Sequence, residues 1–403
     1  METAALIQTL SDPLGLPFYP QVFAALMVLT FALHIAFVNL AVGTTALALW
    51  GFVRGTPEWK TLAGASAKAA TASVSGAIVL GVAPLLFVQT LYDPFWYASN
   101  LLSAAWVIGF VFVMMAAYGA SYLFLGGGRA GAAFGAAALL LYLGAGSLMH
   151  AFSMQALAPE KWLGWYAGAG TAATSGTALH AFEPLRFLHF LVPAGTAAGL
   201  YLLLRAWYLR ARPDMDREAL GRSAKLGAGL AFWATAAQAL VGFAWLLTVP
   251  QALAFYAHPA FLAALAAGLA LVAYLGKLAL LDADPAGAAV PAAGGTLGVI
   301  LAMAAAREAL RGALLGRFGF SIAAHRVTVD WGSTALFLAT FALGGSVLAW
   351  VLTLAFQAGR VEGRFTPGPR VAAWGRVSLG LLAGWLLVVA GYGLSVTLRA
   401  RGL

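Results

Sequence analysis

The stretch "PLRFLHFLVPAGTAAGLYLLLRAWYLR" (Pro184–Arg210) decides the fold class. From Phe187 to Leu204 it is apolar enough and long enough to cross a bilayer, whose hydrocarbon core needs about 20 such residues as a helix. It also carries Arg186 and His189 near its first proline and Arg205 near its far end. Nine comparable runs are spread over the chain, near 21–53, 67–91, 100–126, 130–156, 226–250, 258–281, 289–306, 333–357 and 372–398. Of the 403 residues, 62% are hydrophobic and only 9% charged, where a soluble domain carries roughly a quarter charged. The expected fold is therefore all-α: a polytopic transmembrane bundle of about 9–10 spans, residues 1–403 forming one integral membrane domain. Long uniform runs, rather than alternating ten-residue segments, exclude an outer-membrane barrel. The run 289–306 is short and rich in Gly and Ala, so it is expected to be the weakest span, or re-entrant.

Loop charges orient the bundle. Arg54, Lys60 and Lys68 follow the first span, and Arg129 the third. Arg205, Arg210, Arg212, Arg217, Arg222 and Lys225 follow the fifth, and Arg360, Arg364, Arg370 and Arg376 the ninth. All fall on one side if the N-terminus is outside, and the net charge of +9 then belongs to the inner membrane face and not to nucleic acid. The other side keeps Lys161, Arg186, Arg307, Arg311, Arg317, Arg326, Arg399 and Arg401. The opening "METAALIQTLSDPLGLPFYP" has no basic n-region, and reads as an interfacial segment rather than a secretory signal. In the long outer loop 157–183, Trp162, Trp165 and Tyr166 suggest a helix lying on the membrane.

The chain has no cysteine. Disulfides, thiolate metal sites, cysteine-ligated clusters and covalent c-type haem attachment are excluded. Six histidines remain, and the topology puts all of them toward the outer side. His34 lies inside the first span, His150 near the outer end of the fourth, and His189 at the outer start of the fifth. His258 opens the seventh, His325 precedes the ninth, and His180 sits in the outer loop as a plain interfacial residue. An intramembrane imidazole is a functional candidate by default, and neutral imidazole is a common haem-iron ligand. Small residues follow His189 in "HFLVPAGTAAG" and His258 in "HPAFLAALAAGLA", which would let a flat macrocycle approach the backbone. No Asp or Glu falls inside the spans as drawn, which disfavours ion-coupled transport. There is no HExxH for a zinc hydrolase, and "GGGRAG" (126–131) lacks the strand–helix setting of a phosphate loop.

Residues 22–280 resemble the large, haem-bearing subunit of cytochrome bd-type quinol oxidases. The likeness rests on "ALHIAFVNLAVGTTALAL", "APLLFVQTLYDPFWYASN" and "RFLHFLVPAGTAAGLYLL". It implies that His34 takes the place of a haem-ligand histidine in the first helix, and that His189 takes that of a low-spin haem b ligand in the fifth. Where that family has a methionine ligand in its seventh helix, "FYAHPAFLAALAAG" offers His258, implying a bis-His haem b. Two features of the family are missing: the glutamates of the third helix, and the long quinol-binding loop, in whose place stands only "QALAFYAHP". The chain is then a diverged relative with additional spans at 289–398. Haem b (one to three) is the implied cofactor, with His34, His189 and His258 on iron, His150 and His325 as further candidates, and Arg186, Arg317 and Arg326 toward the propionates. The implied role is a multi-pass electron-transfer subunit of a bacterial inner membrane. Its implied partners are lipid, a c-type cytochrome or other redox subunit, and the quinone pool; oxygen reduction is a further version. The competing reading is a haem-free transporter or scaffold subunit.

Overall fold

The computed structural model describes residues 7, 9–10, 14–127, 130–168 and 170–400; Arg129, Arg401 and most of the first thirteen residues lie outside the described residues. Among the described residues thirteen α-helices follow one another. They are α1 (Pro20–Arg54), α2 (Pro57–Leu91), α3 (Asp93–Leu102), α4 (Ala104–Leu125), α5 (Gly131–Ala156), α6 (Trp162–Ala167), α7 (Pro184–Leu191), α8 (Pro193–Leu209), α9 (Arg217–Leu246), α10 (Pro259–Leu280), α11 (Ala289–Gly316), α12 (Trp331–Ala358) and α13 (Pro369–Ala400). With α7 and α8 joined as one span, ten are long and apolar enough to cross a membrane, and they coincide with the ten runs read from the sequence.

Their ends follow helix chemistry. α1 stops where Gly55 adopts φ +72°, the left-handed conformation glycine tolerates. Thr56 then caps α2, accepting from the Trp59 N–H, with Pro57 in the first turn. At 35 residues each, α1 and α2 are about 50 Å long, so they tilt or protrude from a ~30 Å core. They pack along one another, α4 packs on α5, α10 on α11, and α11 also on α1. The contacts use small residues, as expected where lipid removes the hydrophobic drive and close approach must replace it. Gly43 of α1 lies against the Ala194 carbonyl of α8, and Gly199 of α8 meets Gly227 and Ala231 of α9. Thr196 and Thr235 share a hydrogen bond of 2.9 Å across the same α8–α9 seam.

The chain divides into two compact units. The larger comprises Met1–Ala206 and Gly221–Val327, the smaller Trp207–Leu220 and Thr328–Leu403. The larger holds the histidines and the buried charges. In the smaller, α12 buries no residue and α13 buries only Gly375 and Ser378. The pair is tied by polar contacts among apolar side chains: Ser346 with Ser378 at 2.8 Å, and Trp385 Nε1 donating to Thr340 at 2.8 Å.

Local expectations change at two places. The run 289–306 is no re-entrant loop: α11 is continuous for 28 residues and carries Arg307, Glu308 and Arg311 inside it. Glu308 therefore lies in the same continuous helix as that run, beyond the end of the span as drawn. Between the second and third runs the short helix α3 forms, with Phe95 fully buried and Trp96 nearly so. Trp162, expected at the interface, is core: it is buried, its Nε1 donates to the Gln155 carbonyl at 2.8 Å, and it packs on Phe95.

Candidate functional site

The buried charges gather at one end of the larger unit. Here α2 ends at Leu91, the last turn of α5 carries Ser153 and Met154, the first turn of α7 carries Arg186, and the last turns of α11 carry Arg307, Glu308 and Arg311. Tyr92, in the turn after α2, donates its hydroxyl to Glu308. Glu308 Oε2 lies 3.1 Å from Arg311 Nη1. Burial, then the Glu308 charge, raises the Tyr92 hydroxyl above the usual tyrosine range, with Arg311 opposing, so Tyr92 stays a donor. Each guanidinium also covers a ring: Arg311 over Tyr92 at 4.8 Å, Arg307 over Phe31 at 4.3 Å, and Arg186 over Trp245 at 5.4 Å. Cation–π contact offsets part of the cost of desolvating these cations. A cavity of about 20 Å³ lies among Tyr92, Trp96, Ser153, Arg186, Arg307 and Arg311. A wider apolar groove of about 740 Å³ runs beside it between α1 and α11, with Tyr92 and Glu308 in its wall.

The histidines have distinct settings. In His34 of α1, the Nδ1–H donates to the Ala77 carbonyl of α2 at 2.9 Å, and the ring lies against Gly81, where a side chain would collide with it. That bond places the proton on Nδ1 and leaves the Nε2 lone pair available, the state a haem-ligating imidazole needs. The donor chemistry at His34 therefore fits an axial haem ligand. His189 of α7 turns to α9: Gln238 Nε2 donates both to His189 Nδ1 at 2.9 Å and to the His189 carbonyl at 2.6 Å, and Trp245 stacks on the ring at 5.6 Å. With Nδ1 accepting, the neutral ring carries its proton on Nε2. His258 is exposed and caps α10, its Nδ1 accepting from the Ala260 N–H at 3.2 Å. His150 is buried, its Nε2 3.1 Å from the Glu183 carbonyl. His325 Nε2–H donates to the Leu91 carbonyl at 3.0 Å. His180 stacks on Trp165.

Thus the structure brings Arg186 into a cluster with the arginines of α11, whereas each histidine is engaged with its own neighbouring helix or loop. Arg317 and Arg326, read with Arg186 as cations toward the propionates, are exposed; Arg317 Nε bonds back to the Leu314 carbonyl, and the Arg326 carbonyl accepts from the Leu16 N–H. Among the described residues no group of three or more His, Cys, Asp or Glu side chains is placed to hold a metal ion. Sequence reasoning missed Tyr92, Glu308, Arg307 and Arg311 as a unit. The signal was there: "REALR" continues the helical period beyond Ala306, with Glu308 and Arg311 three apart on one face.

Comparison of the chain with known protein families and with curated proteins gives no match.

Proposed function

We propose that the chain is a haem-b-binding integral subunit of a respiratory electron-transfer complex in a bacterial inner membrane, exchanging electrons with a c-type cytochrome or the quinone pool. One observation carries this reading: His34, inside a membrane span, is held in the tautomer that offers Nε2 to iron. Bound haem would supply one-electron chemistry, and the protein's part is to fix the ligand, exclude water and set the surrounding charge. Arg186 is the cation proposed for a propionate. His189 and His258 as a bis-His pair need two local changes, because the Gln238 amide must leave Nδ1 and the α10 cap must open. Reduction of oxygen opposite His34 is a finer version of the same reading.

The test is optical. Purified protein should show a Soret band and sharp reduced α bands. His34→Ala should remove a haem signal, while His180→Ala leaves the spectrum intact. Carbon monoxide shifting the reduced Soret band would mark an open position on iron. A colourless protein overturns the proposal and leaves the haem-free scaffold or transporter, which the structural partners already made by His189 and His258 favour.

A further inference from the structure

The walls of the small cavity at the end of α2 are rich in donors and short of acceptors. Arg186, Arg307 and Arg311 all reach it, as does Trp96. Arg186 and Trp96 are each 5% exposed, and Arg311 is 8% exposed. Arg311 pairs with the carboxylate of Glu308 at 3.1 Å, and the charge of Glu183 acts on Arg186. The hydrogen-bond partner of Arg186 Nη1 is the thioether of Met154 at 3.5 Å, and Arg311 Nη1 also faces the thioether of Met27 at 3.6 Å. Thioether sulfur is a weak acceptor. Two further donors lining the cavity, Arg307 Nε–H and Trp96 Nε1–H, are buried with no partner. Three cations, with only Glu308 bonded to one of them and Glu183 the other negative charge acting on Arg186, together with two orphaned N–H groups, leave donor capacity and part of the positive charge unmet in a place where both are costly. A water molecule would satisfy one or two donors but none of the charge.

We infer that this cavity binds a compact anion, with Arg186, Arg307, Arg311 and Trp96 as donors. At about 20 Å³ it holds something of the size of a halide or a carboxylate group, not a phosphoester. The anion has two possible sources: free inorganic anion from the aqueous phase, or the carboxylate of a membrane-held cofactor. Only the second rests on the haem reading above. Guanidinium forks suit both, since charge-assisted donors bind carboxylate and halide alike.

The test uses full-length protein in detergent, free of haem, at constant ionic strength. Sodium gluconate, too bulky for the cavity, is exchanged stepwise for chloride or for acetate while the thermal midpoint is followed. The expected result is a saturable rise with chloride, acetate or both. Arg307→Met should weaken the apparent affinity at least tenfold. Trp96→Phe, a milder change, should weaken it severalfold and serves if the arginine variant does not fold. A chloride response identifies free anion as the source. A response to acetate alone, abolished once haem is bound, identifies the cofactor carboxylate. If chloride and acetate act no differently from gluconate, or if both variants keep the full response, the inference is overturned. A colourless protein that still responds to chloride would sink the haem proposal and leave this site standing. A Soret band without any anion response would do the reverse.

Discussion

The hydroxyl of Tyr92 donates to the carboxylate of Glu308, and this one bond latches the end of α2 to the last turns of α11 across more than 200 residues of sequence. The same carboxylate faces Arg311, so a single acid serves two partners inside a membrane protein. Removing the charge while keeping the shape, Glu308→Gln, leaves a buried guanidinium unpaired and should cost on the order of 3–5 kcal/mol. Tyr92→Phe removes one hydrogen bond to a charged group and should cost about 1.5–3 kcal/mol. The double variant should lose less than the sum, because both changes remove the same contact. Thermal unfolding in one detergent measures all three, and additive losses would show that the latch does not couple the helices.

The pH dependence of that latch has a definite sign. The Tyr92 hydroxyl is raised in the folded protein, so its contribution is fully present below the ordinary tyrosine range and is lost as pH rises through the folded value. Wild-type stability should therefore fall more steeply above about pH 10 than that of Tyr92→Phe. Parallel curves for the two proteins would contradict the assignment.

The ten spans were legible because length and hydropathy alone decide them, and no tertiary contact can hide a run like Ala104–Leu125. The end of α11 was not legible by that rule. Hydropathy collapses at "REALR", so the span was closed at Ala306, yet the helix goes on to Gly316. Tyr92, Met27 and Glu308 supply partners that make those charges tolerable inside the bundle, and all of these contacts except that of Glu308 come from helices far away in sequence. The histidines show the same division. That His34 sits in a span could be read directly; that its Nδ1–H meets Ala77 depends on how α1 and α2 pack. Arg186 was picked out, but its companions on α11 were assigned to a loop.

Gly81 is the second half of the His34 setting. An added Cβ would lie 2.9 Å from two atoms of the imidazole, inside normal contact distance, so Gly81→Ala must push the ring away from α2. Overpacking of this kind costs about 1–3 kcal/mol and should lengthen the bond from Nδ1 to Ala77. If His34 binds iron, the haem spectrum of Gly81→Ala should broaden or shift while Gly64→Ala, where a side chain meets nothing within 4 Å, leaves it unchanged. An identical spectrum in both variants would separate the Gly81 contact from the ligand role.

The start of α12 offers a prediction that does not depend on the site. Asp330 caps the helix, accepting from the Ser333 N–H at 3.0 Å and the Ser333 hydroxyl at 2.6 Å, and these bonds hold its carboxyl below the usual range. A lowered carboxyl stabilises the fold above its unfolded value, and the contribution fades as pH falls through the folded one. Because the chain has no cysteine, a nitroxide on Phe337→Cys reports order in the first turns of α12 without further changes. Its mobility should rise on acidification in the wild-type background and stay high at every pH in Asp330→Ala. In Asp330→Asn, which keeps an acceptor but cannot titrate, mobility should stay low and flat with pH. An acid-induced rise of equal size in Asp330→Asn would place the titrating group elsewhere.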